Sequence, residues 1–413
     1  MPQASRRAVA ANKDKVMTDA AGSWKMQFPG NLAWSNAALV TKGMAPYGAI
    51  AMAEVDEVCQ RLDSRQGEPD AWRQEWAAMG ERVEALGDAA AKGGHERTAG
   101  NAWLRAGMYF FTAERFVYPG EDKRALGERA IRLQQAGLLR RHPNIEKVEV
   151  PFGDVTLPAL FMKADPRVRQ GPAPTVVVFD GMDNCKEMSV LFCGLEFAAR
   201  GWNTLAIDGP GQGESLRLRG LYARHDYEVA GTAALDCMLA RGDVDPDAVV
   251  VMGYSFGGYY AARVAAFEQR YAAGVAFAAL HWDLAAFQRE VLRKQQADPK
   301  ATAQSAFHFA WIMGCLGDAE AAIRKAEKFS LEGVAGKVTM PFLVVHGADD
   351  KVVPVAAARK LHDELGSQDR ELKVFTADEG GSGHCCVDNR PLGVDFIADW
   401  VGGALRRRRQ TTT

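Results

Sequence analysis

Three stretches far apart in the chain hold the residue types of an activated hydroxyl nucleophile. Gly253-Tyr254-Ser255-Phe256-Gly257 sets a serine between glycines, after the apolar run Ala248 to Met252 and before the helix-like stretch Gly258 to Ala266. Strand, sharp bend and helix at that spacing lift the hydroxyl out of a sheet. The glycines are needed because a Cβ would collide with the neighbouring strand and helix. A serine hydroxyl is a weak nucleophile at neutral pH and needs a base to take its proton. His346-Gly347-Ala348-Asp349-Asp350-Lys351-Val352-Val353-Pro354 offers a carboxylate, and Gly380-Gly381-Ser382-Gly383-His384-Cys385 offers an imidazole. His384 would serve as base and then as acid, while Asp350 would hold its tautomer and stabilise the imidazolium. Asp349 competes for the second role, but the spacing H-G-x-x-D-x-x-V-P favours Asp350. His346 reads as a buried, hydrogen-bonded residue; His281 and His308 fall in or beside an insertion.

An acyl-transfer intermediate also needs two fixed N–H donors. The Phe256 backbone supplies one. The loop Asp180-Gly181-Met182-Asp183 supplies the other, with Met182 preferred to Gly181. The glycine-rich loop Asp208-Gly209-Pro210-Gly211-Gln212-Gly213 lacks the G-K-[ST] of a phosphate loop and reads as a tight connection. The sequence holds no H-E-x-x-H or paired C-x-x-C spacing, so no metal site is expected. Cys385 and Cys386 read as packing beside the catalytic loop.

The elements that must position these residues begin near residue 145. Apolar runs at 148–150 and 157–162 read as a hairpin around Gly153-Asp154. Further runs follow at 175–179, 204–207, 248–252, 274–280, 342–345 and 372–375, with helical segments between most of them. This alternation predicts an α/β fold: a mostly parallel sheet covered on both faces, with the site on loops at the strands' carboxyl ends. Residues 281–335 interrupt the alternation and read as a lid, in which Phe307, Phe309, Trp311 and Met313 suit either an apolar, aromatic ligand or ordinary packing. Upstream, Trp72, Trp76, Met79, Val83, Leu86 and Ala90 recur at helical spacing and predict one buried helix face. Gly93-Gly94 ends that helix. A second covers 102–116 and a third, after Pro119-Gly120, covers 121–140. The tryptophans read as core.

At 413 residues the chain is long enough for two domains, expected at 1–145 and 146–405, with 406–413 a frayed, disordered basic tail. A net charge of -2 gives no electrostatic reason to expect a nucleic-acid or membrane partner. No stretch approaches the roughly 20 apolar residues of a spanning helix, and the residues around Arg6, Arg7, Lys13 and Lys15 lack the apolar run of a secretory signal. Seven cysteines, an odd number without regular spacing, argue against a disulfide framework and for a reducing cytoplasm.

Taken together, Gly253 to Gly257, Asp208 to Gly213, His346 to Pro354 and Gly383-His384-Cys385 resemble an α/β-hydrolase over residues 145–405. The order Ser255, Asp350, His384 is the one that family shows. The upstream helices, with Trp72-Arg73-Gln74-Glu75-Trp76 and Ala102-Trp103-Leu104-Arg105-Ala106, are similar to the dihydroxypseudooxynicotine hydrolase group. That group takes in fungal polyketide-shortening hydrolases and fermentation-respiration-switch-type esterases. The resemblance implies an N-terminal helical cap and cofactor-free cleavage of a carbon–carbon bond beside a ketone, in a 1,3-dicarbonyl or aryl ketone. It also implies an aromatic or polyketide-like small-molecule substrate and a homodimer. Group members use an additional acid to protonate the carbanion. Glu290 is the candidate here and Asp283 its competitor, a surface helix charge being the alternative for both. A carboxylesterase or acyltransferase would use the same three residues; a non-catalytic interaction protein would not need them intact.

Overall fold

The computed structural model describes residues 24–68, 70–279, 282–297 and 307–412. The basic residues near the N-terminus and His281 lie outside them. Every expected apolar run forms a strand: β1 Ile145–Phe152, β2 Val155–Met162, β3 Ala173–Phe179, β4 Asn203–Ile207, β5 Val244–Tyr254, β6 Ala273–Phe277, β7 Phe342–Gly347 and β8 Arg370–Phe375. They form one sheet in the order β1-β2-β4-β3-β5-β6-β7-β8. β2 runs antiparallel to β1 and β4, and the remaining pairs are parallel. The central strands are buried along nearly their whole length, which is why they read as continuous apolar runs and not as alternating ones.

Register sets the site. Phe179 pairs with Gly253, Tyr254 with Phe277 and Gly347 with Phe375, so the loops after β3, β5, β6, β7 and β8 leave the sheet at one edge.

Among the described residues five α-helices precede the sheet: α1 Leu32–Lys42, α2 Met52–Asp63, α3 Ala71–Lys92, α4 Glu96–Glu114 and α5 Glu121–Arg141. The sequence pattern identified the last three. Trp72 and Trp76 are buried as expected, against Trp34 at 5.4 Å and Tyr109 at 5.8 Å between ring centroids. The indole of Trp72 donates to the Thr112 carbonyl (2.7 Å). Leu86 breaks the expected stripe and is 56% exposed. Gly87 takes the buried position, where a Cβ would come within 2.5 Å of the Trp103 ring. The same apolar core runs from Trp34 and Phe110 to Leu160 and Met162 of β2, seating the helices on the sheet.

Beside that core, Glu114 of α4 binds both Lys123 of α5 and Arg217 of the short helix Gly213–Arg217, all three fully or almost fully buried. Arg217 Nη1 also donates to the Asp183 carbonyl (2.8 Å), which ties the helical layer to the loop after β3.

The basic tail departs from expectation. The last helix, Arg390–Thr412, continues through all four arginines. Arg407 pairs with Asp369 (3.0 Å), just before β8, and Arg409 with Asp245 (2.6 Å), at the start of β5. Among the described residues no helix is long and apolar enough to cross a membrane.

Candidate active site

Ser255 sits at the junction of β5 and the helix Phe256–Phe267 with φ 56° and ψ -121°, a conformation L side chains resist. A Cβ on Gly253 would be driven into the Gly257 carbonyl, and one on Gly257 into the carbonyls of Phe179 and Asp180. Both glycines are therefore obligatory. The bend itself is held by Ser255 N–H to the Phe277 carbonyl (2.8 Å) and Gly258 N–H to the Ser255 carbonyl (2.9 Å).

The turn aims the hydroxyl at an imidazole. His384 Nε2 lies 2.9 Å from Ser255 Oγ, and its Nδ1 lies 2.7 Å from Asp350 Oδ2. Asp350 Oδ1 accepts the N–H groups of Val352 (2.7 Å) and Val353 (2.9 Å), so the carboxylate cannot swing away. Burial opposes its ionisation, but the His384 hydrogen bond and charge, helped by the Val353 N–H, hold it below the usual carboxylate range. Asp349, the competitor, is exposed. His346 is buried as expected: its Nε2 donates to the Val353 carbonyl (2.9 Å), and burial keeps it neutral.

Burial also disfavours a charged His384, yet the adjacent Cys385 sulfur and the Asp350 carboxylate outweigh it and raise the imidazole to about 10. In its neutral form the imidazole is placed to take the serine proton.

The two segments expected to supply amide donors both lie beside Ser255. Phe256 N–H belongs to the first residue of its helix, where no preceding turn supplies a carbonyl. Gly181 lies so close that its Cβ would sit 3.3 Å from that of Ser255. Its neighbour Met182 lines the cavity described below. The loop is braced from beneath. Asn184 Nδ2 donates to the Tyr254 hydroxyl (2.9 Å), which donates to Asp180 Oδ1 (3.2 Å) and bonds Ser189 (2.9 Å). The Asp208 loop has the connecting role expected of it: Asp208 accepts from Lys186 Nζ (2.9 Å), and Gln212 donates to the Asp180 carbonyl.

Ser255 and His384 open into a cavity of about 220 Å³. Its walls come from three parts of the chain: Val40 and Arg115 from the helical layer, Phe287 and His308 from the insertion, and Met182 and Arg390 from the sheet's own loops and last helix. A second cavity of about 230 Å³ shares Met182, Phe287 and His308 and adds Val291, Leu292 and Ile323. The His308 ring bonds the Arg115 carbonyl, and burial lowers it to about 4, so it stays neutral.

The four residues proposed for the substrate lie elsewhere. Glu290 is half exposed and paired with Arg293 (2.9 Å). Asp283 is exposed and caps the helix Leu284–Ala297 by accepting Ala286 N–H (2.8 Å). On that helix Phe287, Gln288, Val291 and Leu292 face the cavities, and Glu290, two residues from Gln288, is rotated about 200° away. Trp311 is buried beneath Lys123 (4.7 Å), and Phe307 packs on Tyr118 (5.3 Å). Neither lines these two cavities. Arg115, Gln288 and Arg390 carried no local signal in the sequence, because elements distant in the chain bring them together. Among the described residues no cluster of His, Cys, Asp and Glu could hold a metal ion.

The prolyl oligopeptidase family matches residues 195–407, and the esterase FrsA-like family matches residues 54–300. The chain belongs to these α/β-hydrolase families. Similar proteins include the Alpha/beta hydrolase ucsC of an Acremonium species, 33% identical over 56% of this chain and 51% of the relative. The hydrolase LUC6 of a Fusarium species is 28% identical over 82% of this chain and 88% of the relative. The chain spans about half the length of the first of these and of the Pyricularia grisea hydrolase pyiE, at 52%. Among solved structures, the 2,6-dihydroxy-pseudo-oxynicotine hydrolase superposes with a TM-score of 0.72 at 22% identity, over 88% of this chain and 95% of that one. That likeness is one of fold. The shared fold includes the helical layer as well as the sheet.

Proposed function

We propose that this hydrolase uses Ser255 to cleave an acyl–carbon bond beside a ketone, in a 1,3-dicarbonyl or aryl ketone substrate. The observation that carries the reading is the hydrogen-bonded chain Ser255–His384–Asp350 at the wall of a cavity roofed by helices. Ser255 Oγ attacks the carbonyl carbon and passes its proton to His384 Nε2. The N–H groups of Phe256 and Met182, or of Gly181, receive the oxyanion. The carbon–carbon bond then breaks, its electron pair leaves on the stabilised carbanion, and His384 Nε2–H returns the proton to that carbon. Water, deprotonated by His384, attacks the acyl-enzyme and releases a carboxylic acid. The apolar second cavity and Phe287 support an apolar or aromatic substrate.

A second reading, carboxylesterase or acyltransferase, is favoured by one observation. The insertion turns Gln288 toward the cavity, so among the described residues no lid acid stands ready for a carbanion; an alkoxide leaving group needs only His384. A fluorophosphonate probe should label Ser255 and leave Ser255→Ala unlabelled, and labelling of the variant would refute both readings. Turnover of an aryl β-diketone against a matched aryl ester separates them, a dominant ester rate ending the carbon–carbon reading.

A further inference from the structure

Among the described residues five cationic side chains are buried: Lys42, Lys123, Lys186, Arg217 and Arg390. Four of them meet an oxygen acceptor. Lys42 donates to Gln27 (2.6 Å), Lys123 to the Glu114 carbonyl (2.7 Å) and Lys186 to Asp208 (2.9 Å), while Arg217 pairs with Glu114. Arg390, 5% exposed, meets none. Its Nη1 lies 3.0 Å from Met44 Sδ, its guanidinium lies 5.0 Å from the Phe192 ring centroid, and its Nε has no partner. A thioether is a weak acceptor and an aromatic face attracts a cation without neutralising it. An arginine side chain keeps its charge in proteins. A buried guanidinium without a counter-charge is unfavourable unless a ligand supplies one.

The ligand's place is open to it. Arg390 lines the same cavity as Ser255 and His384. Phe192, which it covers, packs edge-on against Tyr254 at 4.8 Å, next to the nucleophile. Arg115 lines the cavity too, and no ion pair of its side chain exists among the described residues. Among the described residues Asp183 is the one carboxylate on the wall; its Oδ2 lacks a hydrogen bond and lies 3.8 Å from Arg217.

Building on the hydrolase reading above, we propose that the substrate carries an anionic oxygen, as a carboxylate or an ionised enol, which Arg390 binds while Ser255 attacks the acyl carbon. With Nη1 turned to Met44, Nε and Nη2 are the fork left for an anion, Nε being shielded from solvent in the free enzyme. An uncharged isostere leaves that fork unpaired and binds less well.

The test uses two matched pairs. One is mono-4-nitrophenyl glutarate beside 4-nitrophenyl valerate; the other is an aryl β-diketone that ionises beside its 2,2-dimethyl analogue, which cannot. Wild-type enzyme should prefer the anionic member of at least one pair by tenfold or more in kcat/KM, and the pair that responds names the source of the charge. R390M should lose at least tenfold of that ratio, R390K less. R390M should also melt no lower than wild type, because it removes an uncompensated charge. A preference that survives in R390M, or its absence from both pairs in an active wild type, overturns the proposal. So does a melting point lowered by more than about 5 °C, which would make the guanidinium structural. Failure of both pairs to react, with Ser255 unlabelled by fluorophosphonate, would instead strike the hydrolase reading itself and this inference with it.

Discussion

Around the carboxyl ends of the strands the backbone is bent into conformations that side chains resist, whereas α1 to α5 hold relaxed helical geometry throughout. Six non-glycine residues have positive φ among the described residues: Asp70, Asp183, Ser255, Ala278, Cys385 and Cys386. All but Asp70 follow β3, β5, β6 or β8, and Asp183, Ser255 and Cys385 line the cavity. Each such residue costs about 1–3 kcal/mol and persists only where its surroundings over-determine it. Here the surroundings are fixed carbonyls and paired strands. In the helical layer tightness comes instead from rings and buried charge, and side chains there can shift a little when disturbed. The site is therefore brittle and the layer that roofs it is forgiving.

The sharpest break of that contrast is Ser255→Ala. It should lower kcat on the order of 10⁶-fold while leaving the melting point near wild type, since alanine inherits the same backbone. Retained turnover would remove Ser255 from the chemistry. Asp350→Asn should cost on the order of 10⁴-fold, and it moves the pH profile as well. His384 must be neutral to accept a proton, and its affinity for that proton is raised. Wild-type kcat/KM should therefore climb with pH along a limb lying above the ordinary 6.5 of histidine. In the asparagine variant the limb should move down, and an unmoved limb would mean that Asp350 does not govern His384.

Within the helical layer the largest effect should come from Glu114→Ala, which strands Lys123 and Arg217 without their counter-charge. About 3–5 kcal/mol of stability should disappear in denaturant titrations. Burial raises the proton affinity of Glu114, but Arg217 and Lys123 outweigh it and hold it at about 2, below its ordinary 4.5. The folded state thus binds fewer protons there than the unfolded chain. This contribution is complete above pH 4.5 and is lost as pH falls toward about 2. The variant should lack that part of the acid sensitivity.

The smallest effect should separate two glycines. At Gly87 a methyl meets the half-buried ring of Trp103, which can move, so Gly87→Ala should cost only about 1 kcal/mol. At Gly257 it meets two backbone carbonyls that cannot, so Gly257→Ala should destroy fluorophosphonate labelling. Equal behaviour of the two variants would erase the difference between the regions.

Much of the sheet and the three residues Ser255, Asp350 and His384 were legible in the chain because their signals are short-range. A strand shows as a run of apolar residues. An elbow shows as two glycines about a serine, and an acid loop shows as a fixed spacing after its strand. Leu86 and Glu290 misled because a helix turns 100° per residue and the chain does not mark which face meets a neighbour. Periodicity placed Leu86 on the buried face, but the close approach of α3 and α4 selected Gly87 instead. The charged helix Leu284–Ala297 likewise offered Glu290, and packing turned Gln288 inward.

By itself, then, the sequence determined the strand pattern and the short motifs that carry Ser255, Asp350 and His384, since those signals lie in adjacent residues. Tertiary structure decided what surrounds them: Arg115 beyond α4, Gln288 on the insertion and Arg390 on the last helix meet at one cavity only after the sheet has closed its register. Long-range packing chooses such neighbours by fit and by charge, and neither quantity is written in any local run of residues.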